Sequence, residues 1–248
     1  MSPMASTQVT FEDDPNPESV RWDNEWLVYL STEAARPHFR RYDTLGAPRN
    51  LAGIPRSSMW DSELCVGAGA ANIWVDGDTL VGARVLEVGC GCGYLGKQLG
   101  LICDAYVGVD HSPLAIHIAR LTSPSNCQYA LTHNIGVLHP LHGTLGIMLG
   151  RHFFIHQNLA SAIAVLRLAR VFLVEGAKVY ADFFLPPKKH GTARVLRAMD
   201  DLDPSAPSAG FCFSDSEIET LADQSGYTVS CIEDAPSVFR RFALLVRA

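Results

Sequence analysis

Basic residues are the minority charge in this sequence. Twenty Lys and Arg stand against 26 Asp and Glu, a formal net charge of −6. With no basic run either, nucleic acid is not expected as an obligatory partner. No apolar stretch approaches about 18 residues without a charge or a turn former, so no membrane span is expected. No basic segment leads into an apolar one at the N-terminus, so no signal peptide is expected. Metal-ligand spacing is scarce as well. Cys90-X-Cys92 has no second close Cys or His pair beside it, and no metal site is expected. The seven cysteines, at 65, 90, 92, 103, 127, 212 and 231, are an odd number in a chain too large to need staples. They read as reduced thiols of a cytoplasmic protein. Internal repeats and low-complexity tracts are missing too.

What the chain does have is apolar content. Of its 248 residues, 48% are hydrophobic and 19% charged, enough for a substantial core in one large domain, or in one domain with an appended cap. Residues 1–20, rich in Ser, Pro, Asp and Glu, read as a disordered or loosely docked tail. From Arg21 the pattern changes. Trp22, Trp26, Tyr29 and Leu30 recur at helical spacing and predict an amphipathic helix to about Ala35, limited by Pro37. Two readings of it stand: a helix packed on the domain surface, or a lid whose aromatics close a small-molecule pocket. Loop chemistry follows over 43–58, then a second helical stretch from about Ser58 through Ile73. Residues 21–80 are thus expected as an N-terminal helical cap, and 81–248 as the main domain.

Strands and helices then alternate. Apolar runs predict strands at Arg84–Val88, Tyr106–Val109 (ending at Asp110), Cys127–Leu131, Leu145–Leu149 and Lys178–Phe184. Ser112 caps a helix with Pro113 at its first position and Leu114, Ala115 and Ile118 inward. Another helix spans Leu159–Val171, with Ile163, Leu166 and Leu168–Ala169 inward. Residues 185–212 break the rhythm with prolines and one short helical piece, and read as an insertion on the ligand side of the sheet. Ser214 and Glu217 form a capping box for a helix that stops at Gly226. Tyr227–Ile232 and Phe242–Arg247 read as strands separated only by residues 233–241, too few for a parallel crossover of about a dozen. They are therefore expected to be antiparallel neighbours.

The stretch that organises the chain is Val85-Leu86-Glu87-Val88-Gly89-Cys90-Gly91-Cys92-Gly93-Tyr94-Leu95-Gly96. A buried strand ends in glycines that open a helix, where free N–H groups and the positive dipole end face the turn. Gly91-X-Gly93-X-X-Gly96 fits a dinucleotide fingerprint, with Asp110 near the distance for a ribose contact. The overlapping Glu87-X-Gly89-X-Gly91-X-Gly93 fits another use, with an acidic residue two positions before the first glycine.

That second pattern resembles the first motif of the class I S-adenosylmethionine-dependent methyltransferases. The resemblance covers roughly residues 80–248, including Asp110 after strand two, Gly150 after strand four and the antiparallel tail, which dehydrogenases of the Rossmann type normally lack. It implies an α/β, Rossmann-like, seven-stranded and mostly parallel sheet with an antiparallel last strand, plus the helical cap. It implies S-adenosyl-L-methionine as cofactor, with Gly89, Cys90, Gly91 and Gly93 around its methionine portion and Glu87 beneath. Asp110 would accept from the ribose hydroxyls and His111 would lie against the adenine. The family's frequent Asp after strand three is replaced by Thr132-His133-Asn134, so His133 and Asn134 are the expected adenine contacts here.

Catalytic candidates follow strand four, in Gly150-Arg151-His152-Phe153-Phe154-Ile155-His156. His152 or His156 could act as general base near neutral pH, or pack at a helix start. Arg151 could hold an anionic substrate or make a surface ion pair, and Trp22 and Trp26 are further candidates for substrate contact. The Asn/Asp-Pro-Pro-aromatic motif of amino-methylating nucleic-acid enzymes is missing. The expectation is a small-molecule methyltransferase, O-directed ahead of N-directed. Alternatives are a protein-directed methyltransferase, a catalytically silent partner subunit and a nicotinamide-dependent oxidoreductase.

Overall fold

The computed structural model describes residues 17–32, 39, 41, 75, 77–186, 195–201, 210–235 and 239–248. The second helical stretch expected over 58–73 lies outside them, as does the tail before residue 17. Residues 17–20, expected in the tail, form the first turn of α1 (Pro17–Leu30). That helix ends five residues before Ala35.

The main sheet is built from β1 (Arg84–Val88), β2 (Ala105–Asp110), β3 (Cys127–Leu131), β4 (Leu145–Gly150), β5 (Leu173–Phe184), β8 (Tyr227–Ala235) and β9 (Arg240–Arg247). Pairing runs β3-β2-β1-β4-β5-β9-β8. All pairs are parallel except the two that involve β9. The two neighbours of β1 connect in opposite directions along the sheet, which opens a crevice at the carboxyl ends of β1 and β4.

These strands read as continuous apolar runs because both faces are covered. Leu86 and Val88 join the cluster with Ile163 and Leu166 of α5 (Leu159–Ala169) and Ile218 and Leu221 of α6 (Asp215–Ser225). Val85 joins the opposite cluster with Leu95 and Leu99 of α3 (Tyr94–Leu99) and Ile116 of α4 (Pro113–Thr122). A turn, α2 (Gly77–Leu80), leads into β1. The Ser112 cap of α4 and the Ser214–Glu217 capping box of α6 both form, and α6 stops at Gly226 in the left-handed conformation.

Three elements depart from the sequence reading. β5 begins at Leu173, not Lys178, because it carries an irregularity before Lys178 that includes Gly176 at φ 74° and breaks the apolar pattern. Leu168 is 44% exposed, while Ile163, Leu166 and Ala169 fill the inward stripe of α5. The described parts of 185–212 are two short strands, β6 (Val195–Arg197) and β7 (Gly210–Cys212), rather than a helical piece. β7 meets β5 only at Phe184↔Cys212, beyond Gly150↔Ala181 where pairing with β4 stops. Tertiary pairing overrides local propensity there.

α1 packs beside α4. Trp26 and Leu30 cover Cys92, Ala115 and Ile118. The helix therefore lies on the domain surface and also over the carboxyl ends of the strands. Among the described residues no helix is long and apolar enough to cross a membrane.

Candidate functional site

A cavity of about 840 Å³ lies over the carboxyl ends of β1, β2 and β4, closed on one side by α1. Its floor is the turn from β1 into α3. Gly89 takes φ 68°, and a Cβ there would come within 2.6 Å of the Phe153 ring. Gly91 takes φ 49°, and its Cα surface is the seat of the Trp26 indole. Side chains at these two positions would both strain the backbone and push out a ring that walls the cavity.

Asp110 holds this turn. Its carboxylate accepts from the Gly91 N–H at 2.8 Å and from the Ser112 N–H at 2.9 Å. Burial pushes its pKa up, against those two hydrogen bonds. Ser112 accepts from the Ala115 N–H and donates its hydroxyl to Asp23 of α1. Asp23 also accepts from the Leu114 N–H at 3.2 Å. A carboxylate of α1 thus sits at the N-terminus of α4, where the helix dipole favours it.

Beneath the turn lies Glu87, 4% exposed, its Oε2 buried without a hydrogen-bond partner. Burial raises its pKa well above the carboxylate range; Arg151 opposes and Asp110 adds to the rise. The Thr132 hydroxyl, also on the cavity wall, is likewise buried and unpartnered. Buried polar atoms without partners are rare, and two on one cavity wall mark where a polar ligand fits.

The opposite wall follows β4. His152 adopts φ 53°, and its N–H donates to Asp182 Oδ1 at 2.7 Å. Arg240 of β9 approaches Asp182 Oδ2 at 3.3 Å through Nε, and reaches His152 Nδ1 at 3.2 Å. His156 packs edge-on against Trp22, with ring centroids 5.3 Å apart, and its Nδ1 is buried and unpartnered. Burial, with Arg151 and Arg240, lowers His152 to about 3; burial and Arg21 lower His156 to about 4. Both imidazoles are neutral at pH 7.

Of the residues singled out from sequence, Glu87, Gly89, Cys90, Gly91, Asp110 and His111 line the cavity. So do Arg151, His152, His156, Trp22 and Trp26. Four do not. His133 and Asn134 are exposed, and Thr132 and Ile135 take the wall position expected of them. The reason is that Thr132–Leu141 runs as two 3-10 pieces kinked at Asn134 (φ −115°), and the two side chains at the kink are left outward. Gly93 caps α3 in the left-handed region, and its bare Cα lets Tyr129 and Ala119 close in. Gly150 makes room for the Phe154 ring. Sequence reasoning missed Asp182, Arg240, Arg21 and Asp23. Asp182 left a trace, as a lone carboxylate in the apolar run Val179–Phe184. No zinc-like group of ligands occurs among the described residues.

The strand order, the antiparallel insertion of β9 and a cavity over a glycine turn followed by an acidic residue at the end of β2 define a class. The chain has the fold of the class I S-adenosylmethionine-dependent methyltransferases. It is similar over 92% of its length to 92% of a protein studied for the conversion of a disulfide bond into a thioacetal group during echinomycin biosynthesis, at TM-score 0.54 and 16% identity. An S-adenosylmethionine-dependent methyltransferase from Mesorhizobium loti matches over 68% of this chain and 92% of that one, at TM-score 0.52 and 14% identity. No protein-family model matches the sequence, and the curated proteins give no match.

Proposed function

We propose that this protein transfers a methyl group from S-adenosylmethionine to a hydroxyl oxygen of a small molecule. One observation carries the reading. A single cavity of about 840 Å³ joins the glycine turn, Glu87 and Asp110 at one end to His152 and His156 at the other. That volume lies within the range of small-molecule sites, roughly 300–1,000 Å³. A pocket behind aromatic side chains favours a small acceptor over a protein or nucleic acid. The free cysteines among the described residues, five of them at most half-exposed, suit a reducing, cytoplasmic setting.

The residues present fit the cofactor. Gly89 and Gly91 seat the Phe153 and Trp26 rings against the turn, where they wall the cavity beside Glu87 and Asp110. The Glu87 Oε2 and the Thr132 hydroxyl lack partners that an ammonium and an adenine amine would supply. Asp110 would hold the ribose hydroxyls, and His111 would flank the base. When bound, S-adenosylmethionine supplies a methyl activated by its sulfonium, whose bond to carbon breaks with the electron pair returning to sulfur.

The protein's own residues do the rest. The wall from Trp22 to Phe153 excludes water and orients the acceptor, which is worth on the order of 7–11 kcal/mol when alignment is good. The acceptor oxygen becomes strongly acidic as it bonds carbon, so a weak base suffices. His156, neutral because it is lowered to about 4, takes the proton on its imidazole. Its neutrality also avoids placing a second cation beside a sulfonium.

The test is a panel of small hydroxyl- and amine-bearing molecules incubated with protein and S-adenosylmethionine, with products read by mass. A methylated hydroxyl product, formed roughly 10²–10⁴-fold more slowly by His156→Ala, is expected for a general base. Methylated amines with no dependence on His156 would overturn the oxygen assignment.

A further inference from the structure

His152, Asp182 and Arg240 form a closed triangle that the transfer step above does not use. Asp182 is 1% exposed near the carboxyl end of β5. Arg240 comes from β9, where register sets it opposite Phe184, and its guanidinium lies 4.1 Å from that ring's centre. The aromatic face and the Asp182 carboxylate fix the guanidinium plane. The backbone of His152 is pinned as well, by its N–H on Asp182 and a left-handed φ that His tolerates better than most residues.

The proton count on the imidazole follows from who can donate. Arginine has five donors and no acceptor, so the 3.2 Å contact from Arg240 to Nδ1 requires a lone pair on Nδ1. The neutral ring therefore carries its proton on Nε2. Asp182 does not reverse this. Its Oδ2 is 3.8 Å from Nδ1, beyond hydrogen-bond range, and is engaged by Arg240. A carboxylate bonded to Nδ1–H would make the other nitrogen a base; an arginine bonded to Nδ1 makes it a donor. His152 is half-buried and lines the cavity, and it lies close enough to His156 to influence its charge.

We propose that Asp182 and Arg240 are positioning residues that hold His152 as an Nε2–H donor, and that the acceptor substrate carries a second oxygen beside its hydroxyl for this donor to hold. The substrate class is then a small planar hydroxy-carboxylate or hydroxy-carbonyl compound, since Trp22, Phe153 and Phe211 line the same cavity. His152 takes no proton. It orients the molecule so that the hydroxyl faces His156. The substrate part of this proposal rests on the methyltransferase reading, whereas the tautomer does not.

The experiment is nitrogen-15 NMR of the histidines at neutral pH, with calorimetric binding of S-adenosylhomocysteine and then of salicylate, phenol and benzoate to the loaded protein. In the wild type, His152 is expected to show an unprotonated Nδ1 and a protonated Nε2. Salicylate should bind at least roughly tenfold tighter than phenol or benzoate. Arg240→Met should mix the tautomers and remove the salicylate preference while S-adenosylhomocysteine still binds, and Arg240→Lys should restore both in part. A proton on Nδ1 in the wild type overturns the positioning role without need of any variant. Equal binding of salicylate and phenol overturns the substrate class. Failure of S-adenosylhomocysteine to bind overturns the methyltransferase reading and the substrate class with it, and leaves the tautomer to be judged by NMR.

Discussion

Burial raises the pKa of Glu87, and one of its oxygens is unpartnered beneath the glycine turn. An ammonium arriving above it would favour the ionised form, so ligand binding should expel a proton. Calorimetry of S-adenosylmethionine binding near pH 7 in buffers of different ionisation enthalpy should show proton release, and Glu87→Gln should abolish it. Buffer-independent heats would contradict the assignment. His152 and His156 give a second expectation. Their folded pKa values, about 3 and about 4, lie below the ordinary value of 6.5. Between those values the unfolded histidines bind more protons, so the stability they contribute is complete above about pH 6.5 and is lost as pH falls toward 4. The denaturant midpoint of the wild type should fall relative to that of His156→Gln as pH drops from 6.5 to 4.5. Legibility at this scale was uneven. Glu87 and Asp110 follow from position along the chain, next to glycines and a strand end. Asp182 and Arg240 acquire meaning only through the pairing of β5 with β9, which local sequence does not encode.

α1 is tied to the domain at two places: the Trp26 indole on Gly91, and Asp23 on the Ser112 hydroxyl and the Leu114 N–H. Asp110 and Asp23 meet on the same Ser112, one on its N–H and one on its hydroxyl. Order at the glycine turn and docking of α1 are therefore coupled. Asp23→Ala removes a capping carboxylate, a loss of about 1 kcal/mol, and should raise amide exchange throughout α1 while leaving that of α5 and α6 unchanged. Gly91→Ala should do the same more severely, because it displaces Trp26 and imposes φ 49° on a residue with a side chain. Unchanged exchange in α1 for both variants would contradict the latch. The helix itself was legible in the spacing of Trp22, Trp26, Tyr29 and Leu30. Its start at Pro17 was not, because Ser and Pro near a helix N-terminus look the same as a loose tail. β6 and β7 were not legible either; three-residue strands take their form from the neighbour they pair with.

At the scale of the molecule, two apolar layers sandwich a sheet whose strands alternate their side chains between them. β1 sends Leu86 and Val88 to one layer and Val85 to the other, and the same alternation leaves Glu87 under the glycine turn. Core packing and a cavity-lining carboxyl thus share one strand. Leu166, fully buried between α5 and the sheet, should cost about 2–5 kcal/mol as Leu166→Ala by denaturant unfolding, with ligand binding intact in the protein that remains folded. Topology was the most legible feature of all, since the short spacing of the last two strands already required an antiparallel pair. The most direct measurement is a calorimetric titration of S-adenosylmethionine, S-adenosylhomocysteine and NADH into the wild type and Asp110→Asn. The first two should bind, weakened roughly 10- to 150-fold by a substitution that removes a charged acceptor worth about 1.5–3 kcal/mol. Binding of NADH instead, or of none of the three, would contradict the account.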